Sequence, residues 1–369
     1  MDLHTPDTET ATFTRLPHPN RVPDAERQAF LADPGFGKVF TDHMVVVRFD
    51  AGQGWHHPEI RPFGPIPLSP AAAVLHYAQE IFEGLKAYRA ADGRILLFRP
   101  DANARRFRAS AERLAMPPLP ESLFIEAVRQ LVLADRDWIP DGPDASLYLR
   151  PFMFADEVFL GVRPSASYQF VVIASPVGAY FQGAPKAVKV WASENYTRAA
   201  PGGTGAAKCG GNYAASLQAQ AEATAHGCDQ VVFLDAAERR WVEELGGMNV
   251  FFVFADGRLV TPPLGGSILP GVTRDAIMAL ATAQGLRVSE TPYSLDQWRA
   301  DAASGALTEC FACGTAAVVT PIGSVKATSG DFTIGSGGPG QVSQGLRQGL
   351  VGIQRGHAPD PHGWVYTVA

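Results

Sequence analysis

The chain has 369 residues, of which 46% are hydrophobic, so it exceeds the usual size of one domain and can bury two cores. Its formal net charge of −6, with no run of Lys or Arg, argues against the basic surface that nucleic-acid binding requires. The chain shows no signal-peptide pattern and no apolar run of membrane-spanning length. We therefore expect a cytoplasmic protein with no nucleic-acid or membrane partner.

The first half of the chain alternates strand and helix signals. Residues 1–36 are polar and contain several prolines, which predicts a loosely packed arm before a first strand at 43–49. A helix is predicted around 71–79, and the Asp92-Gly93 pair predicts a hairpin turn. Further helices and strands are predicted at 105–114, 121–135, 146–154 and 168–174. Together these elements predict a small N-terminal α/β domain over residues 1–177.

The second half begins after a segment rich in Gly and Pro, residues 178–188, which we interpret as an interdomain linker. Residues 189–369 then form the predicted larger C-terminal domain. Its predicted strands are 230–235, 240–244, 250–255 and 258–260, and its predicted helices are 273–284, 295–303 and 341–354. The fold class is therefore mixed α/β (α+β) with two domains.

The four cysteines are too few for a disulfide framework in a chain of this length. Cys310 and Cys313 form a CxxC, but Cys209 and Cys228 do not supply a second pair at zinc-binding spacing. We expect buried thiols and no metal site.

Residues 202–211 hold five glycines around Lys208, and glycine at this density indicates close approach of the backbone to another group. A Walker A loop is excluded because Ala207 precedes the lysine and Cys209 follows it. A dinucleotide fingerprint starting at Gly203 would need Gly or Ala at position 208. Two interpretations remain: an exposed loop lysine, or a desolvated lysine that forms an imine with an aldehyde.

Three further segments carry polar groups that suit a phosphorylated cofactor. Glu243 and Glu244 end an apolar strand, and a buried carboxylate there would need a cationic partner such as a protonated pyridine nitrogen. Val272 and Thr273 open a predicted helix, whose first amides suit a phosphate. Thr315 offers a hydroxyl in a turn, and Arg106 a forked cation. Taken singly, each also fits an ordinary strand end, helix cap or solvated arginine.

In this order, the segments closely resemble the branched-chain-amino-acid aminotransferases, which are fold-type IV pyridoxal-phosphate enzymes. The resemblance runs from about Phe40 to the C-terminus. The matching residues are 75–77, 82–86, 146–151, 175–178, 208–213, 269–274 and 313–316. It implies the two-domain fold of that class, resembling D-amino-acid aminotransferase, with a smaller N-terminal and a larger C-terminal domain. It also implies a homodimer whose active sites lie near the subunit interface.

The resemblance implies pyridoxal 5′-phosphate as the cofactor. Lys208 resembles the Schiff-base lysine that also moves the substrate proton, and Glu244 the carboxylate that keeps the pyridine nitrogen protonated. Tyr213 resembles the tyrosine that hydrogen-bonds the cofactor's O3′. The implied phosphate ligands are Arg106, the amides of Val272 and Thr273, and Thr315.

The implied substrates are leucine, isoleucine and valine on one side and 2-oxoglutarate and glutamate on the other. An apolar, aromatic pocket would receive the aliphatic side chains. Arg150 would bind the distal carboxylate of glutamate, and the backbone around Thr315 and Ala316 the α-carboxylate. The aromatic residues implied for the pocket are Phe40, Tyr77, Phe82, Tyr148 and Tyr180.

Two departures and two alternatives accompany the resemblance. Ala317 and Thr320 stand where vertebrate members have a redox-sensitive CxxC, and Gly247 stands where some members have Thr. The nearest alternative is another fold-type IV activity, a D-amino-acid aminotransferase or an aminodeoxychorismate lyase, against which Arg150 and residues 82–84 argue. The other is a non-catalytic binding protein that has kept the loops.

Overall fold

The computed structural model describes residues 12–178 and 187–369, which fall into two compact units. Unit 1 extends to Gly178 and includes His362–Ala369, whereas unit 2 ends at Pro361. The predicted mixed α/β class is confirmed in both units. Among the described helices, none is both long and apolar enough to cross a membrane.

Unit 1 is built on a mainly antiparallel sheet. Its longest pairing joins the strands Ser146–Ala155 and Ser167–Val177, which are both largely apolar and buried. Its described strands are β1 Thr14–Arg15, β2 His43–Asp50, β3 Gly54–Pro62, β4 Glu80–Phe82, β5 Leu85–Arg89, β6 Ile95–Phe98, β7 Ser146–Ala155, β8 Ser167–Val177 and, from the C-terminus, β18 Val365–Thr367. The spatial order is β1-β3-β2-β8-β7-β5-β6-β18, with β4 also paired to β7. β5 and β6 form the predicted hairpin, which turns at Gly93 with a φ of 87°.

Four helices are described in unit 1: α1 Asp24–Ala32, α2 Ala73–Tyr77, α3 Pro100–Arg113 and α4 Glu121–Ala134. In α4, buried side chains recur three and four residues apart, which is the helical period, and this stripe packs against β2 and β8. Pro100 opens α3, where a missing backbone N–H costs least. A single 3₁₀ turn, Arg136–Trp138, follows α4.

The N-terminal and C-terminal segments differ from the sequence-based expectation. The described part of the predicted loose arm is residues 12–36, and in it β1 pairs with β3 and α1 forms a helix. Polar contacts fasten this arm: His18 Nε2 lies 2.9 Å from the Asp42 carbonyl oxygen, and the Val22 amide donates to the Asp42 carboxylate at 2.8 Å. Because these partners are polar, the segment shows no hydrophobic periodicity. At the other end, β18 pairs with β6 of unit 1, although 189–369 was predicted as a single C-terminal domain.

Unit 2 holds a second sheet, which curls until two of its distant strands pair. Its described strands are β9 Val188–Ser193, β10 Gln230–Leu234, β11 Val242–Leu245, β12 Asn249–Phe254, β13 Arg258–Thr261, β14 Arg287–Glu290, β15 Leu307–Gly314, β16 Val318–Lys326 and β17 Phe332–Thr333. The order is β11-β10-β9-β16-β15-β12-β13-β14, and β11 also pairs with β12. The first six strands therefore close into a ring, with a large apolar cluster built on their side chains.

The described helices of unit 2 are α5 Gly210–Ala214, α6 Leu217–Ala225, α7 Val272–Ala283, α8 Leu295–Ser304 and α9 Gln341–Gln354. The observed α9 matches its predicted bounds. α5 and α6, which the sequence did not predict, directly follow the glycine-rich segment. α5 is only one turn long, too short to show a period.

Candidate active site

Lys208 lies in the loop between β9 and α5, and its side chain is half-buried. Its Nζ donates a hydrogen bond to the hydroxyl of Tyr213 at 2.7 Å and lies 5.2 Å from the centre of that ring. Because α5 begins two residues after the lysine, its single turn brings the hydroxyl of Tyr213 back beside the amine. Gly247 lies beside this ring, where an added Cβ would be 3.6 Å from Tyr213, an ordinary contact distance.

The loop between β9 and α5 that carries Lys208, here called the lysine loop, is held by the buried residue Asn212. Its Nδ2 donates to the carbonyl oxygens of Thr204 and Ala207, each at 2.8 Å, and its Oδ1 accepts from the Thr204 hydroxyl at 2.7 Å. A Cβ at Gly205 would overlap the Ser267 carbonyl group. The glycine at 205 is therefore required for close approach of two backbone segments, as the glycine density predicted.

Glu244, on β11, is almost completely buried, with 3% of its surface exposed. Its carboxylate forms an ion pair with Arg198 at 2.5 Å, accepts from the Leu269 amide at 3.0 Å and accepts from Asn249 Nδ2 at 3.2 Å. Burial raises the pKa of Glu244 to about 7, and the positive charge of Arg198 opposes this rise. Because burial disfavours the ionised form of Glu244, a further positive group beside this carboxylate would be stabilising.

Arg198 is a site residue that the sequence analysis missed. Its Nη2 donates to the carbonyl oxygens of Gly205 at 2.9 Å and Ser267 at 2.8 Å, and its side chain is 4% exposed. It therefore joins the lysine loop, the loop before α7 and Glu244. No local pattern around residue 198 indicates these contacts, since each partner comes from another segment of the chain.

The neighbouring Glu243 is buried as well. It accepts a hydrogen bond from the Ser267 hydroxyl, and burial raises its pKa. The sequence suggested that one carboxylate of this pair is buried. In the structure both are, and each has a polar partner on the loop that precedes α7.

The strand register gathers the remaining unit 2 candidates at one end of the sheet. Glu244 pairs with Asn249, and Asn249 pairs with Cys313, so Thr315 lies in the turn just beyond. Thr315 and Ala316 are half-buried in this β15–β16 turn. Asn249 also donates to the Leu269 carbonyl oxygen at 3.0 Å, which ties the loop before α7 to the same end.

Val272 and Thr273 form the first turn of α7, as predicted, and both residues are largely buried. The amides of a helix's first turn have no acceptor within the helix and point beyond its N-terminus. Together with the positive end of the helix dipole, they suit a phosphate group. A Cβ at Gly271, the N-cap, would overlap the side-chain oxygen of Asn249, so a larger residue here would displace that side chain.

The cysteines beside this site are not reactive groups. Cys310 and Cys313 lie on β15 and are buried, as expected. Burial raises the pKa of Cys313 to about 12 and that of Cys310 well above its usual value.

Among the candidates of unit 1, Arg150 contacts two aromatic residues. Arg150, on β7, lies 4.7 Å from the centre of the Phe82 ring and donates to the Tyr148 hydroxyl at 3.1 Å, so the structure brings these three residues together. Phe36, from the N-terminal arm, contacts Tyr148 with ring centres 5.5 Å apart and was missed by the sequence analysis.

The other unit 1 candidates lie in different surroundings. Phe40 stacks on Phe63 with ring centres 4.9 Å apart, and Tyr77 is 38% exposed at the end of α2. Arg106, on α3, is buried and forms an ion pair with Glu83. Tyr180 lies outside the described residues.

Comparison with known proteins identifies the family. Residues 80–325 match the family model for amino-transferase class IV. A branched-chain-amino-acid aminotransferase of Mycolicibacterium smegmatis is 58% identical over 357 residues, which cover 96% of this chain and 97% of the relative.

Two solved structures share the fold. The branched-chain amino acid aminotransferase of Escherichia coli superposes with a TM-score of 0.74 at 31% identity, covering 89% of this chain and 99% of the other. The branched-chain amino acid aminotransferase of T.th., solved with N-(5′-phosphopyridoxyl)-L-glutamate, gives a TM-score of 0.70 at 29% identity, covering 88% and 98%. The chain thus belongs to the class IV aminotransferases, in the branched-chain-amino-acid aminotransferase family.

Proposed function

We propose that this protein is a pyridoxal-phosphate-dependent aminotransferase that reversibly transfers the amino group of L-leucine, L-isoleucine or L-valine to 2-oxoglutarate in a ping-pong reaction. The observation that carries the proposal is the pairing of Lys208 with Tyr213 in the same unit as the buried Glu244 carboxylate. The amine of Lys208, which is hydrogen-bonded to a phenol, matches the aldehyde of this cofactor. The buried carboxylate of Glu244 matches its protonated ring nitrogen. Membership of the family supports the same chemistry.

The residues of unit 2 fit pyridoxal phosphate by the chemistry of their donor set. When bound, the cofactor supplies an electron-accepting ring conjugated to the substrate's Cα. Lys208 would hold the cofactor covalently and, once displaced, move the proton at the substrate's Cα through Nζ. Tyr213 orients this amine, and Glu244 would hold the proton on the ring nitrogen. The first-turn amides of α7 and the hydroxyl of Thr315 would bind the phosphate.

The substrate specificity follows from the residues of unit 1. The rings of Phe82 and Tyr148 suit an aliphatic side chain, and the Arg150 guanidinium between them suits the distal carboxylate of glutamate. By the family resemblance, Phe40, Tyr77 and Tyr180 would also contribute to the pocket, and the backbone at Thr315 and Ala316 would receive the α-carboxylate. The T.th. relative, which was solved with a phosphopyridoxyl derivative of L-glutamate, supports the dicarboxylate half of this assignment.

A homodimer is part of the proposal. Unit 1 exposes an apolar patch formed by α2 and the segment after β7, which are joined by a hydrogen bond from the Ala73 amide to the Glu157 carbonyl oxygen. Four of its side chains are between 57% and 88% exposed: Leu75, Val158, Leu160 and Val162. Contiguous apolar surface of this kind is typical of a subunit interface. The cytoplasmic location stays a prediction.

The visible absorption spectrum of the purified protein tests the proposal. The protein should carry the absorption band of a lysine-bound pyridoxal phosphate, and L-leucine should abolish this band, whereas D-alanine and aminodeoxychorismate should not. Lys208→Ala should lose the link that borohydride fixes between protein and cofactor. A protein that does not respond to L-leucine, or a Lys208→Ala variant with full turnover, would contradict the assignment.

A further inference from the structure

Arg198 carries a positive charge into the interior of unit 2, where the proposed reaction gives it no task. Its side chain is 4% exposed, and so is that of its partner Glu244. A buried charge is costly unless close partners offset the loss of water. The partners of Arg198 therefore indicate what it does.

One nitrogen of the Arg198 guanidinium lies among three oxygen atoms. Nη2 is 2.5 Å from Oε1 of Glu244 and donates to the carbonyl oxygens of Gly205 at 2.9 Å and Ser267 at 2.8 Å. The two carbonyl groups belong to backbone segments in such close approach that a Cβ at Gly205 would overlap the Ser267 carbonyl group. The backbone thus fixes the position of Nη2 beside the carboxylate.

The carboxylate of Glu244 is held from other segments as well. Oε1, the oxygen beside Arg198, also accepts from the Leu269 amide at 3.0 Å. Oε2 accepts from Nδ2 of Asn249 at 3.2 Å. Leu269 and Asn249 are neutral donors, whereas Arg198 brings a full positive charge against the same group. Arg198 therefore affects both the position and the charge of Glu244.

The charge of Glu244 depends on several neighbours. Burial is the main cause of its raised pKa, and the adjacent carboxylate of Glu243, itself buried, adds to the rise. Arg198 is the largest opposing influence, and Lys208 is a smaller one. The thiol of Cys313 interacts with Glu244 too, but burial raises the pKa of Cys313 to about 12, so it stays neutral. Without Arg198, two buried carboxylates would lie side by side with little to keep Glu244 ionised.

We propose that Arg198 is a positioning residue that holds the Glu244 carboxylate in place and keeps the proton between this carboxylate and the cofactor's ring nitrogen on the nitrogen. The inference rests on the proposed function, in which Glu244 is the partner of that nitrogen. The single proton lies either on the nitrogen, with the carboxylate ionised, or on the carboxylate, with both groups neutral. The positive charge of Arg198 stabilises the ionised carboxylate and so favours the first arrangement.

The first test compares two ligands that differ only at the ring nitrogen. Dissociation constants of the apoenzyme for pyridoxal phosphate and for its 1-deaza analogue, in which C–H replaces the nitrogen, are measured by absorption and tryptophan fluorescence. The variants are Arg198→Gln, which is neutral but keeps amide donors, Arg198→Lys, which keeps the charge, and Glu244→Ala. Arg198→Met serves if Arg198→Gln does not fold.

The matched control is Arg274→Gln. Arg274 is also a buried arginine of unit 2, and it donates to the Pro262 carbonyl oxygen at 3.0 Å and to the Glu290 carboxylate at 2.7 Å. Its replacement therefore removes a buried charge and similar hydrogen bonds without removing the partner of Glu244.

The second test observes the proton directly. The full-length protein is loaded with pyridoxal phosphate labelled with ¹⁵N at the ring nitrogen, and the ¹⁵N chemical shift distinguishes a protonated from an unprotonated nitrogen. This measurement needs no turnover. A loss of stability that leaves Glu244 and its charge unchanged would not move the signal.

We expect wild type to prefer pyridoxal phosphate to the 1-deaza analogue about tenfold or more, because the analogue leaves a buried carboxylate without its partner. Arg198→Gln should reduce this preference to about threefold or less and should move the ¹⁵N signal to the unprotonated position. Arg198→Lys should keep the protonated signal and most of the preference. Arg274→Gln should match wild type in both.

Three outcomes would overturn the inference. If Arg198→Gln keeps the wild-type preference and signal while Glu244→Ala changes both, Arg198 does not act on Glu244. If Arg198→Gln weakens both ligands equally and the nitrogen stays protonated, Arg198 only holds the two loops together. If Glu244→Ala itself keeps the preference, Glu244 is not the partner of the nitrogen, and the inference is lost with that assignment. A wild type that binds neither ligand contradicts the proposed function itself.

Discussion

The buried carboxylate of Glu244 should make the stability of the apoenzyme depend on pH. Burial raises its pKa to about 7 in the folded protein, whereas its usual value is 4.5. Between these values the folded protein binds the proton more tightly than the unfolded chain. The stability contribution is therefore present in full below pH 4.5 and is lost as the pH rises through 7.

Its magnitude follows from the difference in pKa. One pKa unit corresponds to about 1.4 kcal/mol, so the full contribution is roughly 3 kcal/mol, most of which falls between pH 5 and pH 8. Glu244→Gln cannot ionise and should lack this term. Glu244→Gln also changes the contacts with Arg198, so only the change of stability with pH carries the prediction.

Urea unfolding of the apoenzyme at pH 5, 6, 7 and 8, followed by tryptophan fluorescence, measures this change. The free energy of unfolding of Glu244→Gln should fall less between pH 5 and pH 8 than that of wild type, by the amount given above. Glu238→Gln, at an exposed position of the same unit, is the control and should behave as wild type. Equal pH dependence in wild type and Glu244→Gln would refute the argument.

Three further predictions concern other parts of the chain. Asn212→Ala should lower the free energy of unfolding by about 1 to 3 kcal/mol in urea titrations, because the carbonyl oxygens of Thr204 and Ala207 lose their donor, and an unchanged value would contradict its role in the lysine loop. Val162→Asp should convert the proposed dimer to monomers in sedimentation velocity with an unchanged far-UV circular dichroism spectrum, since Val162 is 88% exposed in the single chain; a monomeric wild type would contradict the proposed dimer, and a variant that stays dimeric would contradict this interface. All four thiols should react with a chromogenic disulfide only after denaturation, because every cysteine is buried, and a rapid reaction in the native protein would contradict this.

Much of the fold could be predicted where one face of an element is apolar. α4 and α9 were predicted nearly to the residue, because each buries a stripe at the helical period. β3 was missed, since its sequence, with two histidines and two prolines, shows no alternation, and its pairing with β2 defines it as a strand. The strand β1 and the helix α1 within the predicted arm were missed for a related reason, because the partners of His18 and Val22 in this segment lie on Asp42.

The residues of the candidate site fall into the same two classes: some are predicted by a local pattern, and others are defined only by tertiary contacts. Lys208 and Tyr213 are five residues apart, so a single helical turn brings them together, and a local motif carries this information. Arg198 has its contacts on Gly205, Glu244 and Ser267, the last of which is 69 residues away. A buried ion pair of this kind exists only once the ring of strands has closed. The sequence identified the groups that chemistry requires, and tertiary structure alone identified the residues that hold them in position.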